Sequence, residues 1–133
     1  MERDWIVFDE PPRIRKDRIY MMLNMRCELM INRIAFEALG QPESVFLSYS
    51  EKTDAIAIEK ADARLNNAFP LRLKNSSGNY SVHIKPMCDR HEIKYDSSVR
   101  FLDLAIEGDK LVANLLKTSQ IPKRKRHQAV RKS

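Results

Sequence analysis

Apolar positions recur with strand spacing over residues 19–25 and 28–31, with a short turn near Arg26 and Cys27 between them. The spacing then lengthens. Ile34, Ala35, Ala38 and Leu39 share one face of a short helix predicted over residues 33–39. Gly40 is a natural helix stop, and Pro42 stands beyond it. Residues 45–49 and 55–58 flank a polar turn at 51–54 and read as a β-hairpin. A polar connector follows at 61–68, and the same order of elements then returns. Residues 69–73 predict a strand, the Asn-Ser-Ser-Gly-Asn run at 75–79 a turn, and residues 80–84 an alternating strand. Pro86 suits the first turn of a short helix that ends at His91. A long β segment at 98–106, a Glu107-Gly108-Asp109 turn and a closing strand at 111–115 complete the series.

The two halves align by order of elements, at a spacing of roughly fifty residues, rather than by identity of residues. A unit of roughly forty residues with short strands has little core of its own, whereas two packed together share one. The predicted fold class is mainly β with short helices: a pseudo-twofold β-barrel or compact sandwich built from two strand–helix–hairpin repeats, 19–60 and 69–116. An N-terminal arm (1–18) precedes this single domain and a disordered tail (117–133) follows it.

Charge sharpens the description of the ends. The chain carries a net +6, yet residues 117–133 hold seven Lys/Arg and no acid, which leaves residues 1–116 at −1. The pI of 9.5 therefore describes the tail and not a basic folded surface. The arm holds an apolar run, Trp5-Ile6-Val7-Phe8, then Pro11-Pro12, then four basic residues in the six from Arg13 to Arg18. This last cluster reads equally as a solvated arm or as one that touches phosphates. No apolar run approaches the ~18 residues of a membrane span, and the start lacks a signal-peptide pattern, so no membrane partner and a cytoplasmic location are expected. Sequence leaves a Cys27–Cys88 disulfide open; a reducing compartment favours two buried thiols.

Little of the sequence points to catalysis. Cys88 and His91 stand three apart on the second helix, within reach of a nucleophile pair, but a buried thiol beside a surface imidazole accounts for them more simply. With three glycines there is no phosphate-binding Gly-rich loop, and no Cys/His cluster has metal spacing. The expectation is a non-enzymatic protein without cofactor or metal. Most aromatic residues suit core packing; Tyr80, near Lys74, is the best candidate for an exposed stacking ring.

The run Glu28-Leu29-Met30-Ile31-Asn32-Arg33-Ile34-Ala35-Phe36-Glu37-Ala38-Leu39-Gly40, with the hairpin after it, resembles the AbrB/MazE/SpoVT family. Ile31 takes the place of the Ile in that family's Ile-Pro-like step, Leu39-Gly40 matches its helix-closing Leu-Gly, and residues 69–116 resemble the same unit more faintly. The resemblance implies a swapped-hairpin barrel and a DNA-binding transcriptional regulator or antitoxin-like protein, with a homodimer or a toxin-like protein as further partners. It departs at Asn32, where the family has Pro. It departs again at Glu28, Phe36 and Glu37, where strong DNA binders often have Arg. Candidate phosphate contacts are Arg26, Arg33, Arg72, Lys74, Lys85 and Arg90 on the body, with Lys123, Arg124, Lys125 and Arg126 on the tail. The alternative is a protein-interaction module whose folded body reads no DNA. Acids central among the cations would favour it, as would a large exposed apolar patch.

Overall fold

The computed structural model describes residues 3–9 and 18–121. It holds eleven strands and two short helices in two antiparallel sheets. The first half supplies β1 (Met21–Leu23), β2 (Glu28–Ile31), α1 (Arg33–Ala38), β3 (Ser44–Ser50) and β4 (Ala55–Lys60). The second supplies β5 (Phe69–Pro70), β6 (Arg72–Leu73), β7 (Tyr80–His83), α2 (Lys85–His91), β8 (Val99–Phe101), β9 (Leu104–Glu107), β10 (Lys110–Asn114) and β11 (Thr118–Gln120). Sheet A runs β11-β8-β1-β2-β7-β6, and sheet B runs β5-β3-β4-β10-β9.

Period-two alternation decides which side chains face inward. From sheet A these are Met21, Leu23, Leu29, Ile31, Val82, Val99 and Phe101; from sheet B, Val45, Ile56, Ile58, Leu111 and Ala113. All belong to one apolar core, which α1 joins through Ala35 and α2 through Met87 and Cys88. The two halves meet inside both sheets. Leu29 pairs with Val82 across β2–β7, and Ile58 with Leu111 across β4–β10.

The fold is mainly β, as the alternation predicts, but it is not a closed barrel. Two segments predicted as single strands each break on passing from one sheet to the other. The run 69–73 divides at Leu71 into β5, paired with β3, and β6, paired with β7. Pro70 has no N–H to continue a ladder, and the Leu71 N–H donates instead to the Glu43 carbonyl at 2.9 Å. The run 98–106 divides at Leu102 and Asp103 into β8, paired with β1 and β11, and β9, paired with β10. Strand pairing thus changes sheet at both crossings, and single backbone bonds hold the second as they do the first: the Leu102 N–H donates to the Lys117 carbonyl at 2.9 Å and the Asn114 N–H to the Asp103 carbonyl at 3.2 Å. A further difference is β11, which carries sheet A into the stretch that loss of apolar pattern assigns to the tail.

Asn32 ties the start of α1 to the chain entering β1. Its Oδ1 accepts from the Ala35 N–H at 3.0 Å, which caps α1, and from the Tyr20 N–H at 3.2 Å; its Nδ2 donates to the Arg18 carbonyl at 2.6 Å. A proline there would supply none of these bonds. Gly78 takes φ +88° in the β6–β7 turn, where a Cβ would stand 3.2 Å from the Arg33 Cβ, so the turn packs directly on the start of α1. Among the described residues no helix is long and apolar enough to cross a membrane.

Candidate nucleic-acid interface

The site is best built from the β1–β2 turn outward. Asn24 Oδ1 accepts from the N–H groups of Arg26 (2.9 Å) and Glu28 (3.0 Å), an Asx turn that tolerates Cys27 at φ 63°. The turn leaves Arg26 exposed beyond the end of sheet A. Strand register then lines up one row across all six strands of that sheet: Ser119, Arg100, Met22, Met30, Ser81 and Arg72. Arg100 lies between inward-facing Val99 and Phe101, and Met22 and Met30 likewise lie between buried neighbours, so alternation turns this row away from the core. An arginine thus stands toward each end of the row, with methionines between.

Beside this row lies the one ion pair with a buried partner among the described residues. Glu28, 8 % exposed, accepts from Lys74 Nζ at 2.9 Å and from Asn24 Nδ2 at 3.0 Å. The Lys74 ammonium is the main reason the Glu28 carboxyl lies below its ordinary value of 4.5; Ser81 and Asn24 assist, and burial opposes them. A depressed folded pKa means that this network stabilises the fold above about pH 4.5, and that its contribution fades as pH falls through the folded value. The urea midpoint of Glu28→Gln is therefore expected to fall less than that of the wild type between about pH 6 and pH 3, and equal falls would contradict the assignment. Removing the cation alone, as in Lys74→Met, is expected to cost about 1–3 kcal/mol at neutral pH, because the buried carboxylate loses its main partner.

The remaining predicted cations are spread out. Arg33 pairs with Glu37 at 3.6 Å on α1, and Lys85 with Asp89 at 3.2 Å on α2; all four side chains are largely exposed, so these pairs add little stability although they offset charge. Arg90 is exposed in the last turn of α2. Three of the six body cations (Arg33, Lys74 and Lys85) thus have carboxylate partners. Arg26, Arg72 and Arg90 have none among the described residues. Lys123, Arg124, Lys125 and Arg126 lie outside the described residues.

One sequence expectation changes here. Tyr80 is not a free stacking platform: its ring lies on Phe36, with centroids 3.7 Å apart and planes 9° from parallel. His91 stacks on Tyr49 at 4.2 Å, while the Cys88 thiol meets Cys27. Burial first, and the Cys27 sulfur second, push the Cys88 thiol up to about 12. Both cysteines are free thiols, Cys88 buried and Cys27 half-buried. Iodoacetamide at pH 8 is expected to modify Cys27 well before Cys88; equal rates would mean that α2 does not shield Cys88 in solution. Sequence reasoning missed Arg100. The available signal was a cation between two strongly apolar strand positions, which marks an outward-facing charge on a covered sheet. Among the described residues no group of three or more His, Cys, Asp or Glu is placed to hold a metal ion.

Comparison with family models, with curated proteins and with solved structures finds no match to this chain.

Proposed function

We propose that the protein binds DNA through phosphate contacts, with the basic C-terminal segment supplying most of the affinity and the outward face of sheet A orienting the body. The observation that carries this reading is the position of β11. It holds Ser119 opposite Arg100 at one edge of the outward row, so the segment with the densest positive charge leaves the body beside that row. Arg72 stands at the far end of the row and Arg26 at the turn of β1–β2, which with Arg100 gives three arginines around one sheet that have no carboxylate partner among the described residues. Phosphate contacts of this kind position a protein on a duplex without reading its sequence.

The reading extends to ancestry and role. Two AbrB-like units, 19–60 and 69–116, exchange hairpins within one chain. Supporting this, the strand order β1-β2-β7-β6 in sheet A and β3-β4-β10-β9 in sheet B each reads as first half then second half about a central β2–β7 or β4–β10 pair. The pairing of β1 with β8 also has its counterpart in that of β5 with β3. On this reading the protein acts in the cytoplasm as a transcriptional regulator or an antitoxin-like protein.

The face is tested in the full-length chain with Arg72→Gln combined with Arg100→Gln. Loss of two phosphate contacts is expected to reduce the slope of log K against log salt by about 2 on a mixed-sequence duplex. An unchanged slope removes sheet A from the interface. A second reading, a protein-interaction module, is favoured by the acids among the cations, since Glu28, Glu37 and Asp89 offset half of the predicted body contacts. It predicts that any duplex affinity at low salt comes from the basic segment alone and is unchanged by Arg72→Gln with Arg100→Gln.

A further inference from the structure

The N-terminal segment is the most unusual surface feature of the chain. Residues 3–9 are all exposed, and Trp5, Ile6, Val7 and Phe8 are 84, 85, 87 and 76 % exposed. Four consecutive large apolar side chains in water are unfavourable unless another surface covers them, and such a run has strand-forming character. Aspartates bracket it, Asp4 on one side and Asp9 on the other.

The body offers a surface of matching chemistry. A groove of about 360 Å3 opens where β1 begins, lined by Arg18, Ile19, Tyr20, Arg100, Leu102 and Leu104 among others. Its floor is apolar, its lining includes two arginines, and no acid lines it. The groove continues onto β9, the last strand of sheet B, whose outer edge has no strand partner among the described residues. Leu102, just before β9, and Ile106 on it are 54 and 44 % exposed. An open, partly apolar edge is a template for one more strand.

We infer that residues 4–9 of a second copy of this chain occupy this groove and add a strand along the β9 edge, with the acidic ends of the segment, Asp4 and Asp9, drawn to Arg18 at the groove's mouth. The chain between Asp9 and Arg18 spans up to ~30 Å when extended, enough to bring the segment back to its own groove. The single chain nevertheless leaves the segment exposed, so the occupant is the arm of a partner copy, and reciprocal exchange closes a dimer.

Trp5 is the sole tryptophan, so its emission reports this contact directly. In full-length protein without DNA, the emission maximum is expected to shift to the blue as concentration rises through the range in which sedimentation shows the mass doubling. Asp4→Arg with Asp9→Arg is expected to move that transition to at least ~10-fold higher concentration, and adding Arg18→Glu is expected to bring it back toward the wild-type range. A blue shift independent of concentration would mean that the arm covers its own body, and would overturn the proposal. Dimerisation without any shift would overturn it as well, as would a monomer whose emission stays at the solvent-exposed maximum at every concentration.

Discussion

Leu111→Ala is expected to destabilise the protein by about 2–5 kcal/mol, which is a large share of the stability of a domain this size. Leu111 is fully buried and sits opposite fully buried Ile58 in the β4–β10 pair, where the two halves of the chain meet in sheet B. Truncation removes apolar contact from both halves and leaves a cavity that neither can fill without moving a strand. Leu116→Ala serves as the control. Leu116 is 75 % exposed, and its loss is expected to stay within about 0.5 kcal/mol. Urea unfolding followed by far-UV circular dichroism and by tyrosine fluorescence distinguishes the outcomes. One shared core requires a single coincident transition at a lower midpoint for the Leu111 variant. Two separated transitions, only one of them shifted, would mean that the halves fold independently.

Neutralising the basic segment is expected to have the next largest effect. With Lys123, Arg124, Lys125 and Arg126 all changed to Gln, four phosphate contacts are removed and the salt slope falls by about 3.6. Between about 50 and 200 mM salt the wild type should therefore lose roughly a hundredfold more affinity than the variant does. The variant's thermal unfolding should match that of the wild type, because the substitutions lie beyond β11, the last strand of the sheet. A variant that keeps the wild-type slope would show that the segment does not touch phosphate.

Much of the element order was legible from the apolar pattern, because alternation in β1 and β10 follows directly from which side chains must reach the core; of the predicted α1 face, Ala35 and Leu39 reach it while Ala38 is exposed. The breaks at Leu71 and Leu102 were not legible. Both lie in runs whose apolar residues resume directly after the crossing, past Arg72 and past Asp103, and the pattern does not record which sheet a strand joins. β11 was missed because Thr118, Ser119 and Gln120 are polar: the strand is held by its ladder to β8 and buries little. The Glu28–Lys74 pair joins residues 46 apart in sequence, so Glu28 read as an acid where a phosphate contact belonged. In the fold it is a buried partner that holds the β1–β2 turn against β6. Asn32 was read as a departure from Pro, although an Asn two residues before an apolar helical face is itself a cap signal.

The central claim is that the full-length chain holds DNA by phosphate contacts from both the basic segment and sheet A. It is tested most directly by titrating the wild-type protein onto a labelled mixed-sequence duplex of ~30 base pairs across a salt series. The account predicts saturable binding whose log K falls linearly with log salt, with a slope steeper than the ~3.6 that four basic-segment contacts alone supply. Absence of binding at about 50 mM salt, or an affinity indifferent to salt, would contradict it.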